Sequence, residues 1–148
     1  MKLITFLSCS SQEEDISNQL VTGIRYLDIR VAYYPTTPEL FWVNHDIIRI
    51  RPLTSVLDSV LSFVQKYKEI VIMDFHRFPV GFTSTAIHEL LYEYVTSRVG
   101  TVLAPRSLYP NVTPNQLWDL RKYVLLTYSD DFNNQRELLW PGVTHVSH

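Results

Sequence analysis

The plainest periodicity in the chain runs from Leu53 to Tyr67, where Leu53, Val56, Leu57, Val60, Leu61, Val64 and Tyr67 recur at steps of three and four. That spacing lays one apolar stripe along a helix, with Ser55, Asp58, Ser59 and Ser62 on the other side. Pro52 suits its first helical position. The pattern then changes at once to the near-continuous apolar run of residues 69–76, which reads as a strand buried on both faces, as in a parallel sheet. Residues 123–128 form a second run of that kind. Earlier in the chain, residues 23–31 alternate as a strand should, and residues 40–45 make a short strand after a proline-marked loop at 33–38.

Start and stop signals frame the remaining helices. Residues 11–22 read as a short helix, with Glu13, Glu14 and Asp15 favouring its start, Ile16 and Leu20 on its apolar side, and Gly23 ending it. Thr83 or Ser84 caps a helix that turns Ile87, Leu90, Leu91, Tyr94 and Val95 inward and closes at Gly100. Thr113 to Gln116 spells a capping box with Pro114 at the first helical position, opening a short helix through Trp118 and Leu120. From Asn133 onward no pattern stands out. Strands alternating with helices predict an α/β fold with parallel strands. A complete parallel barrel takes roughly 250 residues, so 148 residues make either a small open sheet or part of a barrel.

Composition narrows the function classes. Ordinary hydrophobic and charged fractions describe a globular chain, and a formal net charge of −2 gives no electrostatic reason for nucleic acid binding. The lone Cys9 excludes an internal disulfide framework and a cysteine-rich zinc site. No apolar run is long enough to span a bilayer. The apolar patch in residues 1–9 is shorter than a secretory core, so a cytoplasmic setting is expected, with secretion the alternative. Asn111-Val112-Thr113 is a chance-level glycosylation triplet followed by Pro114.

Strand alternation locates the candidate chemistry. On the 23–31 strand, Tyr26, Asp28 and Arg30 share a face, while Leu27, Ile29 and Val31 share the other. A carboxylate and a guanidinium aimed inward make a poor inert core but a suitable barrel mouth. The bland alternative is an edge strand with an ion pair on its wet side. On the 69–76 strand, Val71, Met73 and Phe75 suit the helix side and leave Ile72, Asp74 and His76 inward. Asp28, Arg30, His45, Asp74 and His76 therefore all fall at the carboxyl ends of strands, where a parallel barrel gathers its site. His88 reads as a surface helix residue, and His145 and His148 lie in the patternless tail. Arginine neutralises phosphoryl oxygens and a histidine can protonate a leaving alkoxide. The constellation suits a phosphate or carboxylate ligand, with the reaction open.

Residues 23–32, then Val43-Asn44-His45, then residues 69–76 resemble the X domain of phosphatidylinositol-specific phospholipase C, most of all the stand-alone X-domain proteins related to metal-independent bacterial enzymes. The resemblance runs from about residue 11 to about residue 130. It implies a distorted, here partial, TIM barrel that cleaves the phosphodiester of inositol phospholipids with the inositol 2-hydroxyl as nucleophile. By position, His45 resembles the general acid, Arg30 the arginine that holds the phosphate, and Asp28 its acidic partner. Asp74, His76, Arg77 and Tyr128 are the candidate substrate-binding residues. An arginine at position 30, where calcium-dependent relatives carry an acidic ligand, implies no metal and no cofactor. The implied partners are a phospholipid or inositol phosphate, with transient contact at a membrane surface.

One family feature is missing. The resemblance leads one to look for a His-Asp pair on an opening strand, its histidine the general base, yet no histidine precedes His45. A general base contributes typically 10²–10⁴-fold, so the chain is expected to be weak or inactive, or to bind head groups without turnover. The expected organisation is an atypical segment at 1–10 followed by a partial X domain at 11–148, truncated at both ends. A glycerophosphodiester phosphodiesterase is the remaining alternative. It needs acidic metal ligands and a Gly-His-Arg motif, and His76-Arg77 lacks the glycine.

Overall fold

The computed structural model describes residues 16–143 and the backbone of Thr5–Phe6. Seven strands form one mixed sheet among the described residues: β1 (Thr5–Phe6), β2 (Tyr26–Tyr33), β3 (Phe41–His45), β4 (Ile48–Pro52), β5 (Val71–Val80), β6 (Val124–Tyr128) and β7 (Trp140–Pro141). Their order is β4-β3-β2-β5-β6-β7, with β1 pairing the first half of β2. Helices α1 (Ile16–Val21), α2 (Leu53–Tyr67), α3 (Thr85–Val99) and α4 (Pro114–Leu120) complete the α/β architecture.

β2, β5, β6 and β7 run parallel, as expected, but β3 is antiparallel to β2 and β4 antiparallel to β3. The all-parallel expectation is corrected there. Seven residues separate β2 from β3, enough for a hairpin but short of the dozen or more that a parallel crossover needs. β1 and β3 consequently share one edge of β2, the first pairing Leu27 and Asp28 and the second Val31 to Tyr33. The residues around Arg49 and Arg51, expected as a turn, form β4, and Pro52 is the cap of α2, not its first helical residue. β7 emerges from the tail that shows no pattern.

The core lies between the sheet and the helices. From α2 it takes Leu53, Val56, Leu57, Val60, Phe63 and Val64; from β5 Val71, Met73 and Phe75; from β6 Val124, Leu126 and Tyr128. Each such side chain contributes about 1.5–3 kcal/mol on burial. α3 packs on the same core, but its buried stripe is His88, Leu91, Val95 and Val99, with Leu90 left exposed. His88 occupies a seat that an apolar pattern cannot register, so its reading as a surface residue is wrong. Gly23, at φ +115, ends α1 as expected. Gly81, at φ +85, lets the chain turn off β5 against β2: a Cβ there would stand 2.3 Å from the Tyr33 carbonyl oxygen.

Candidate functional site

The inward face of the sheet is built by alternation. Asp28, Asp74 and Thr127 sit side by side on β2, β5 and β6 in one register. Asp74 is fully buried and accepts hydrogen bonds from the Tyr26 hydroxyl and, at 2.8 Å, from Thr127 Oγ1. Burial and this carboxylate together push the Tyr26 phenol well above its ordinary pKa. Asp74 is therefore held by its neighbours' hydroxyls, below the mouth of the sheet. One step toward the mouth, Arg30 Nε lies 3.7 Å from Asp28 Oδ1, with the arginine side chain 28% exposed and the aspartate almost wholly buried. That is a guanidinium steadied from below and open above.

Beyond Phe75 the pairing of β2 and β5 slips by one residue, so that Arg77 stands beside Arg30. The bulge brings the second cation into line with the first. His76 and Arg77 line an open cleft of about 440 Å³ together with Asp46, His88, Ser129 and Asp130. The cleft's chemistry is mixed: cations from β5, acids from the β3–β4 turn and from the segment after β6.

The other expected residues distribute differently. With β3 antiparallel, its pairing with β2 covers Val31–Val43, Ala32–Trp42 and Tyr33–Phe41, and its pairing with β4 slips between Val43 and Asn44. His45 is thus not gathered with Arg30 by parallel topology, as the sequence suggested. It is exposed at the end of the hairpin, immediately before Asp46, whose φ of 53 turns the chain into the cleft. Asn44 is 1% exposed and donates to the Tyr34 hydroxyl at 2.7 Å. Tyr128, expected as a substrate contact, is 1% exposed and packs on the helix side, where its hydroxyl meets His88 Nδ1 at 2.6 Å. That expectation is corrected: Phe75 and Tyr128 share a register pair and the same apolar face. His145, His148 and Asp15 lie outside the described residues.

Asn44, Asp46, His88, Ser129 and Asp130 went unremarked as site residues. The antiparallel hairpin was the one available signal, since a seven-residue connection sets the direction of the strand that carries Asn44. The rest depend on which loops meet. Among the described residues no group of three or more His, Cys, Asp or Glu side chains could hold a metal ion, and no helix is long and apolar enough to cross a membrane.

A mixed sheet with helices on its outer face and a polar, arginine-bearing mouth defines a barrel-type α/β protein. Comparison with solved structures finds that fold: phosphatidylinositol-specific phospholipase C of S. aureus, studied for its membrane binding, superposes with a TM-score of 0.63 at 19% identity, over 80% of this chain and 39% of that one. Its H258Y mutant superposes at 0.55. The curated homologues are PI-PLC X domain-containing proteins. PI-PLC X domain-containing protein 1 of Mus musculus is 30% identical over 139 residues, covering 91% of this chain and 39% of the relative. The Homo sapiens and Danio rerio proteins of that name are each 29% identical and are each covered to 42%. The chain thus spans about two fifths of the length of the curated relatives it matches. No family model matches it.

Proposed function

We propose that the mouth of this sheet recognises the phosphodiester of an inositol phospholipid, in the lineage of phosphoric diester hydrolases of the phospholipase C type. The observation that supports it is the alignment of Arg30 and Arg77 at one level, with Arg30 steadied by buried Asp28 and left open toward the mouth. Two guanidiniums side by side match the two unesterified oxygens of a phosphodiester. His76 borders the cleft and offers a polar contact, and Asp74 holds the floor. His45, exposed beside Asp46, is the proton donor proposed for the leaving alkoxide. Head-group binding is the property that the paired guanidiniums support most directly. The contact with lipid is transient, at a membrane surface, and needs no metal or cofactor.

Titration calorimetry with glycerophosphoinositol, alongside diacylglycerol release from phosphatidylinositol vesicles, tests the reading. Arg30→Ala should weaken binding at least tenfold, the roughly 1.5–3 kcal/mol of a charge-assisted contact. His45→Ala should leave binding intact while abolishing whatever release the parent shows. Binding without measurable release favours the non-catalytic head-group binder. Failure of the parent chain to bind the soluble phosphodiester would remove the proposal.

A further inference from the structure

Among the described residues, His88 is a titratable side chain buried against the cleft that the proposed chemistry does not use. Its ring sits among Phe78, Phe82, Tyr128 and Phe132, with centroids 5.0, 4.9, 5.6 and 5.5 Å away, and it is 7% exposed. Its two nitrogens look in different directions. Nδ1 meets the Tyr128 hydroxyl at 2.6 Å, and Nε2 stands 3.7 Å from Asp130 Oδ2 at the cleft. Burial pushes the Tyr128 phenol far above its ordinary range. It therefore remains a donor, hydrogen-bonds into Nδ1, and leaves the neutral imidazole's proton on Nε2, facing Asp130.

Two charge states of the cleft follow. With His88 neutral, Asp130 presents a negative charge that His88 does not offset to any anion that enters. When His88 takes a proton from solvent on Nδ1, that N–H must donate to the Tyr128 oxygen, and the cation on the Nε2 side compensates Asp130. The other charged and titratable groups facing this point are His76 and Arg77 on β5 and Asp46 at the hairpin turn. Glu89, next to His88 on α3, is engaged by Arg136, whose guanidinium also lies 4.5 Å over the Phe132 ring.

We propose that His88 makes phosphodiester binding in the cleft proton-linked: uptake of one proton on its imidazole cancels Asp130 and tightens the hold on the anion. The inference rests on the proposed phosphodiester site at the mouth of the sheet, which shares Arg77 and His76 with this cleft. Burial lowers the imidazole's pKa, with Asp130 opposing, so the switch operates on the acid side of neutrality. Linkage makes the effect reciprocal: a bound anion must raise the pKa of His88 by the logarithm of the affinity gain.

The experiment is calorimetric titration of glycerophosphoinositol, which has no group titrating between pH 5 and 8, across that range. Imidazole proton shifts of His88 are followed by NMR with and without the ligand. The parent should bind about tenfold more tightly at the acid end, with the His88 pKa about one unit higher when saturated. Asp130→Asn keeps an oxygen for the Phe132 amide that Asp130 now caps, and should bind at pH 8 as the parent does at pH 5. His76→Gln should retain the His88-dependent slope, and His88→Gln should lose it. An unmoved His88 titration on saturation, or an unchanged slope in Asp130→Asn, overturns the proposal while leaving the binding site standing. Absence of binding at every pH overturns both.

Discussion

At the scale of single residues, Asp74 shows how a carboxylate on the inward face can be structural. It is wholly buried and receives two hydroxyl hydrogen bonds, from Tyr26 and Thr127. Asp74→Asn keeps the shape but removes the charge that strengthens both contacts, and should cost about 2 kcal/mol of stability, read as a lowered denaturant midpoint. The same variant should bring the Tyr26 phenol back toward, though not to, its ordinary value, because burial remains. A spectrophotometric titration that leaves Tyr26 where it was would show that Asp74 does not govern it. Asp28 and Arg30 were legible from the sequence because alternation is a local rule. Asn44 was not, since its burial depends on which way the next strand runs and on a slip in pairing just before it.

At the scale of elements, the ends of helices carry testable energy. α2 ends at Lys68, which adopts the left-handed conformation at φ 57 while its amide bonds back to Val64. That conformation costs a residue with a Cβ on the order of 1 kcal/mol that glycine does not spend. Lys68→Gly should therefore raise stability by up to about 1 kcal/mol. The gain is trimmed by loss of the ammonium contact with the Tyr123 ring and by the greater freedom of glycine in the unfolded chain. The Trp118 indole bonds the Lys68 carbonyl and is unaffected by the change. A fall in melting temperature would refute the cap reading. The capping box at Thr113 and Gln116 was readable in advance, and both of its hydrogen bonds are formed. The β2–β3 hairpin was half readable, since its seven-residue connection excludes a parallel crossover; β4 was not, because no apolar alternation marks its exposed or half-buried residues.

At the scale of the whole molecule, buried titratable groups shape stability against pH. His88 has its pKa lowered by burial, so the folded state disfavours the proton that the unfolded chain accepts near the ordinary 6.5. Its contribution is present above that value and is lost as pH falls below it. Tyr26, Tyr94 and Tyr128 are raised above their ordinary 10.0. Their contribution holds below pH 10 and is lost as the unfolded phenols ionise above it. Urea midpoints measured across pH should form a plateau with both limbs falling. His88→Gln should flatten the acid limb, and an unaltered acid limb would exclude His88 as its source.

The amino-acid order alone determined the α2 stripe, the Thr113–Gln116 capping box, the buried strands and the Asp28–Arg30 face, since these follow from local spacing. It also carried the resemblance that the curated homologues bear out. Strand direction at β3 and the meeting of Arg30 with Arg77 were decided by tertiary structure. So were the burial of His88 and Tyr128 on the helix side and the assembly of the cleft. Each of those turns on which distant segments pack together, through a hairpin connection, a one-residue slip in pairing and an aromatic cluster drawn from β5, β6, α3 and the segments that follow β5 and β6. None of these leaves a periodic trace along the chain.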